Sequence, residues 1–175
     1  MRLPILLSVL ALTVAAPGLA LAQTPPAAAA PANGVSVAET RTWLAGLGGA
    51  VGEPTVRDGL TTLHVADQPL PWNLTFYACG PSLCDDVQFS AIFTGAITAE
   101  QVSSWNREHR FLKAFYTPAA TPGGEATAVV QYDVVLTGTG AAQQLNEPTV
   151  IWLQLLRACA ERLVAAAPAA AAPAQ

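Results

Sequence analysis

Charged and chemically reactive side chains are both scarce in this sequence. Of its 175 residues, 8 are Lys or Arg, 12 are Asp or Glu, 2 are His and 3 are Cys, which gives a net charge of −4. An acidic chain lacks the positive surface that attracts nucleic acid or anionic lipid, so neither is an expected partner. His64 and His109 are not at the spacing of metal ligands, so no metal or other cofactor is expected.

No catalytic arrangement can be recognised among the few reactive residues. Ser/His/Asp and Cys/His patterns are missing, His64 has no acidic neighbour in the sequence, and the carboxylates are scattered. We therefore expect a protein that is not an enzyme. The alternative is a small-molecule sensor, or an enzyme whose pocket the sequence does not reveal.

Residues 1–22 have the pattern of a secretory signal peptide. Arg2 precedes an apolar run, and Ala20 and Ala22 are small residues at the positions that signal peptidase reads. The run is too short for a comfortable membrane span. We predict cleavage after Ala22 and a periplasmic or secreted mature chain without a stable membrane span. A retained amphiphilic anchor is the alternative.

Composition divides the mature chain into one domain between two tails. Residues 23–34 and 165–175 are rich in Ala and Pro and offer few large apolar groups to bury, so both are predicted to be disordered. Residues 35–164 are long enough for a single domain with an ordinary hydrophobic core.

The spacing of apolar residues in this domain predicts three helices and six strands. Capping-box patterns at residues 36–39 and 98–101 begin the first two helices, and Asn146 is predicted to cap the third. Asp58 and Gly59 predict a tight hairpin. The order helix, four strands, helix, two strands, helix predicts an α+β fold, in which helices pack on one face of an antiparallel sheet.

The three cysteines are predicted to have different roles. Cys79 and Cys84 bracket a four-residue turn in an exported chain, so a disulfide between them is expected. Free thiols, or a redox or metal-binding pair, are the alternatives. Cys159 has no partner at a similar spacing and is predicted to fill apolar space in the core.

Large aromatic residues are predicted to anchor the domain. Trp105 follows the helical pattern of residues 98–109, Phe111 begins the next strand, and Trp152 lies in the last helix. The preferred interpretation of the two tryptophans is core packing, and the alternative is stacking on a ligand.

A basic cluster lies within the same central stretch. Arg107, Arg110 and Lys113 surround the predicted end of a helix. One interpretation is a solvated helix end whose cations complement the helix dipole. The other is a partner-binding patch in which these side chains bind the carboxylates of another polypeptide.

Residues 105–111, with the sequence WNREHRF, resemble the core of the YbjN family, a family described as bacterial sensory transduction regulators. The resemblance includes Cys79 and Cys84 upstream and the last helix downstream, and it covers roughly residues 36–164. The family resembles type III secretion chaperones in fold. The resemblance therefore implies a chaperone-like or regulatory module of the cell envelope, with another polypeptide or a second copy of the chain as its partner.

The intact mass of protein isolated from cells tests the signal-peptide prediction. Cleavage after Ala22 is expected to give a mature chain that begins at Gln23. A mass that still includes residues 1–22 would contradict the prediction and indicate a chain tethered to the membrane.

Overall fold

The computed structural model of the protein describes residues 33–66 and 70–164. The predicted signal peptide with its cleavage site, most of the predicted linker and the predicted C-terminal tail lie outside these described residues. Gly34, the last residue of the predicted linker, belongs to the first strand of the domain.

The described residues contain three α-helices, eight strands and one 3-10 helix. The structure contains the nine predicted elements and adds two strands of two residues and the 3-10 helix. In chain order the elements are β1 (Gly34–Val35), α1 (Val37–Gly46), β2 (Thr55–Arg57), β3 (Leu60–Val65), β4 (Trp72–Cys79), β5 (Cys84–Gly95), α2 (Ala99–Glu108), β6 (Lys113–Thr117), β7 (Ala126–Val135), β8 (Thr139–Gly140), the 3-10 helix (Ala142–Leu145) and α3 (Asn146–Val164).

Six strands form an antiparallel sheet in the order β2-β3-β4-β5-β7-β6. The tight turn between β2 and β3 forms at the predicted residues, Asp58 and Gly59, whose φ angles of 52° and 79° are both left-handed. β1 pairs with the start of β5 and with β8. The predicted α+β class with an antiparallel sheet is confirmed, and the likeness to type III secretion chaperones stays a prediction.

The hydrophobic core lies between one face of the sheet and the helices. Alternate side chains of the strands point to this face and are buried, as the period of two along a strand requires. Phe89 lies at the centre of the core, with its ring centroid 5.5 Å from that of Trp72 and 5.7 Å from that of Trp152. Because Trp152 belongs to α3, this aromatic cluster holds α3 against the sheet.

The two predicted capping boxes have different outcomes. At α2 the box is present: the Gln101 backbone N–H donates to the Thr98 hydroxyl (3.2 Å), and the Thr98 N–H donates to Gln101 Oε1 (2.7 Å). At α1 the prediction is wrong, because Ser36 makes no side-chain cap hydrogen bond. Glu39 instead accepts a hydrogen bond from the first backbone N–H of the 3-10 helix (3.4 Å), and so serves tertiary packing.

The third predicted cap is also wrong. Asn146 has helical dihedral angles, with φ −56° and ψ −56°, because the 3-10 helix runs directly into α3. An N-cap residue has extended dihedral angles and precedes the first helical turn, so Asn146 cannot serve as one here.

Cys79 and Cys84 lie opposite each other on β4 and β5 and form the expected disulfide. Cys84 is buried and pairs with Val35 of β1, so the disulfide lies where the first strand joins the sheet. Cys159 is a free, buried cysteine, and burial raises the pKa of its thiol to about 12. A thiol in this environment stays protonated and packs as an apolar group, as predicted.

Replacing both Cys79 and Cys84 by Ala is expected to lower the free energy of unfolding by about 2 kcal/mol, because the bond closes a short loop in the unfolded chain. Denaturant titration measures the change. Reducing agent should lower the unfolding midpoint of the wild type to that of the variant and leave the variant unchanged. A disulfide to Cys159 in a non-reducing peptide map would contradict this assignment.

Candidate functional site

Residues 105–111 connect the end of α2 to the edge strand β6. The buried Trp105 indole N–H donates to the backbone carbonyl of Leu112 (3.0 Å). Asn106 uses both ends of its side-chain amide on one residue: Nδ2 donates to the Ala114 carbonyl (2.8 Å), and Oδ1 accepts from the Ala114 N–H (2.8 Å). We call these three hydrogen bonds, between Trp105 and Asn106 and the backbone of Leu112 and Ala114, the α2–β6 clamp.

The clamp occupies part of the outer edge of the sheet. In an antiparallel pair, successive residues direct their N–H and C=O groups alternately towards and away from the neighbouring strand. Because Asn106 binds both backbone groups of Ala114, those groups point away from β7, and so do those of Tyr116 two residues later. The clamp therefore covers backbone groups that an open edge would offer to an added strand.

Lys113, one of the three predicted partner-binding residues, contacts the end of α2. Its ammonium group donates to the backbone carbonyls of Asn106 (2.9 Å) and His109. The last carbonyls of a helix have no partner within the helix and carry partial negative charge. This contact is the one that the helix-end interpretation of the basic cluster predicts.

Arg107 and Arg110, the other two predicted partner-binding residues, are exposed. The Arg107 guanidinium donates to the Ser103 hydroxyl one turn earlier on α2 (2.7 Å). The Arg110 guanidinium lies 5.2 Å from the centroid of the Phe111 ring. The structure thus brings the three cations to one end of α2 but directs Lys113 back onto the helix.

Phe111 is not the buried anchor that the sequence predicts. Its side chain is 45% exposed, and its ring lies 5.9 Å from that of Tyr132. Leu112 enters the core instead, and because neighbouring side chains of an extended segment point to opposite sides, Phe111 faces outward. Trp105 and Trp152, at 1% and 0% exposed, are the buried anchors that the sequence predicts.

A groove of about 490 Å³ lies between α2 and α3. Glu108 accepts a hydrogen bond from the Ser104 hydroxyl (2.6 Å) and pairs with Arg162 of α3 (3.2 Å). The Ser104 hydrogen bond is the largest of the effects that hold the pKa of Glu108 below its usual range. The His109 ring stacks on Trp105 with ring centroids 3.4 Å apart. Glu108 and Arg162 thus pair with each other across the groove.

The sheet face opposite the helices is lined mainly by polar side chains that bind one another. Gln88 Nε2 donates to Asp133 Oδ1 (2.7 Å), and Gln131 Nε2 donates to Gln88 Oε1 (3.1 Å). The hydroxyls of Thr62 and Thr75 are 3.1 Å apart. We call this surface the open face, because no helix among the described residues packs on it. An antiparallel sheet with one solvated face commonly has this polar character.

Three apolar side chains interrupt the open face. Ile92 on β5, Val129 on β7 and Phe115 on β6 lie directly opposite one another in the strand register. Ile92 is 63% exposed and Phe115 is 55% exposed. We call these three residues the apolar row. Beside it, Ile92 and Pro71 line a shallow depression of about 180 Å³.

The structure offers little for catalysis within its described residues. No group of three or more His, Cys, Asp and Glu side chains in residues 33–66 and 70–164 could hold a metal ion. In the same ranges, no helix has the length and apolar character needed to cross a membrane. The Cys159 thiol is buried, and the His64 imidazole is hydrogen-bonded to Asn73 (2.9 Å).

Comparisons with known proteins give one kind of match. No family model and no curated protein matches the sequence. Among solved structures, the chain is similar to one described as "Crystal structure of YbjN, a putative transcription regulator from E. coli". The two share 17% sequence identity with a TM-score of 0.41, and the match covers 70% of this chain and 82% of the other. The likeness concerns the fold alone, and it names the family that residues 105–111 resemble.

Substituting Asn106 tests the α2–β6 clamp. Asn106→Ala is expected to lower the free energy of unfolding by about 1 to 3 kcal/mol, because it leaves both backbone groups of Ala114 unpaired in a partly buried site. The neighbouring exposed substitution Arg107→Ala is the matched control and should change stability by at most about 0.5 kcal/mol. Denaturant titration measures both. Equal effects of the two substitutions would contradict the role given to Asn106.

Proposed function

We propose that this chain is an exported, non-enzymatic YbjN-like domain protein that binds another polypeptide through the open face of its sheet. The observation that carries the proposal is the apolar row. On a face whose neighbouring side chains satisfy one another by hydrogen bonds, Ile92 and Phe115 leave more than half of their surface in water. Exposed apolar surface rimmed by polar residues is typical of a protein contact site.

The shape of the apolar row favours a polypeptide over a small ligand. The row crosses three neighbouring strands, which places its ends about 10 Å apart at the usual strand spacing. The shallow depression beside Ile92 does not enclose a ligand-sized volume with converging polar groups, as a small-molecule pocket does. An apolar centre with an aromatic residue and a polar rim is instead the usual anatomy of a protein interface.

The charge near the apolar row favours an acidic partner. Arg110 lies five residues before Phe115, so the two side chains are at most about 17 Å apart along the chain. Arg110 is exposed and makes no ion pair among the described residues. A partner segment with apolar and acidic residues would fill the row and neutralise this cation. Arg107 and Lys113 have contacts of their own on α2, so we assign them a smaller part in binding.

The proposed location rests on the sequence of residues 1–22. The Cys79–Cys84 disulfide supports export, because such bonds persist in oxidising compartments such as the bacterial periplasm. A regulatory or chaperone-like role in the cell envelope is the form of binding that the family resemblance implies. These two elements of the proposal are independent of the contact surface and are tested separately.

Cross-linking identifies the partner and its contact surface together. A photoreactive amino acid is placed at position 115, in the apolar row, or at position 56 on the far edge strand β2, where Val56 is 71% exposed. A polypeptide cross-linked from position 115 and not from position 56 is the expected result. Equal yields from both positions would contradict a specific contact at the row.

Binding measurements with the purified partner then test the residues. Phe115→Ser is expected to weaken binding at least tenfold, while Val56→Ser, an equal change on the other edge, leaves it unchanged. Arg110→Glu should weaken binding less as salt increases, because exposed charges are screened, and Arg57→Glu is its charge-matched control. A partner that binds the Phe115→Ser variant as tightly as the wild type would overturn the proposed surface. Turnover of a metabolite by the mature chain would overturn the non-enzymatic assignment.

A further inference from the structure

A narrow slot separates the end of α1 from the first turns of α3. Its volume is about 120 Å³. The slot reaches solvent beside Leu47, which is 61% exposed. Its lining comes from three parts of the fold: Leu44 and Leu47 at the end of α1, Val65 and Trp72 of the sheet, and Thr149 and Leu153 of α3.

The slot has one polar side chain in its lining, and that side chain lacks a partner. Thr149 is 5% exposed, and its hydroxyl makes no hydrogen bond within the described part of the chain. The other buried side-chain atoms without a partner in that part, Thr40 Oγ1 and Trp152 Nε1, also lie on α1 and α3. Buried polar atoms are nearly always hydrogen-bonded in proteins, so each of these atoms calls for an explanation.

A ligand in the slot would supply the missing hydrogen bond of Thr149. Rotation about the Cα–Cβ bond of Thr149 exchanges the positions of its hydroxyl and methyl groups without changing the volume of the side chain. The hydroxyl can donate to a ligand carbonyl or exchange a hydrogen bond with a ligand hydroxyl. Such a bond would remove the cost of leaving the hydroxyl buried and unpaired.

We propose that the slot binds a small, mostly apolar molecule that carries one hydroxyl or carbonyl group. The Leu, Val and Trp side chains provide the apolar contact, and Thr149 selects the polar end. An apolar protein cavity of roughly 150 Å³ accepts benzene, so a slot of slightly smaller volume that opens to solvent suits a ligand of one ring or a short chain. The slot lies on the helix side of the sheet, so it is independent of the polypeptide contact proposed for the open face.

Phenol and benzene are suitable probes, because they differ by the one hydroxyl that Thr149 would bind. The mature protein is titrated with each probe and followed by two-dimensional NMR. Phenol is expected to bind more tightly than benzene, with the largest chemical-shift changes at Leu44, Trp72 and Leu153. Absence of saturable binding by both probes would overturn the proposal, since the slot would then hold at most water.

Thr149→Val tests the assigned hydrogen bond, because it removes the hydroxyl and keeps the shape of the side chain. It should weaken phenol binding roughly tenfold and leave benzene binding within about twofold. Val150→Thr makes the reverse change at the next, exposed position of α3 and should alter neither affinity. Unchanged phenol binding in Thr149→Val would overturn the role of the hydroxyl.

A blocking variant tests the location of the site. Leu153→Phe adds volume at the wall of the slot and should abolish binding of both probes. If this variant does not fold by circular dichroism, Leu47→Arg at the exposed mouth replaces it, with the same expected loss. Undiminished benzene binding in a folded blocking variant would show that the probes bind elsewhere and would overturn the proposal.

Discussion

The position of α2 against the sheet depends on the hydrogen bonds that Trp105 and Asn106 make to the backbone around β6. Each bond serves two elements at once, because it ends the helix in a fixed orientation and supplies partners to an edge strand. Lys113 completes the arrangement by reaching from β6 to the last carbonyls of α2. The residues that give the chain its family resemblance therefore have a structural role at a sheet edge that would otherwise attract another strand.

Closing that edge directs attention to the two faces of the sheet. The buried face is held by Phe89, Trp72 and Trp152, which fix α3 over the centre of the sheet. Where α1 and α3 diverge above it, the slot at Thr149 remains. The open face has no such cover among the described residues, and the apolar row is its main departure from polar character. One sheet thus supports two separate proposals, an enclosed site for a small molecule and a flat surface for a polypeptide.

Local features of the fold could be predicted from the sequence because they depend on residues close in the chain. The capping box at Thr98–Gln101 is an example, since its hydrogen bonds span three residues. The apolar row could not be predicted, because Ile92, Phe115 and Val129 become neighbours only through the register of three strands. Phe111 was assigned to the core for a related reason: alternation predicts two faces, but the direction in which the edge strand turns decides which one is buried.

The amide hydrogen-exchange rates of Ala114 and Tyr116 test the central claim, that Asn106 closes the edge at β6. Both amides point away from β7, so without the clamp both would face water and exchange rapidly. The account predicts strong protection at Ala114, whose N–H donates to Asn106 Oδ1, and rapid exchange at Tyr116. Equal exchange rates at the two amides would contradict it.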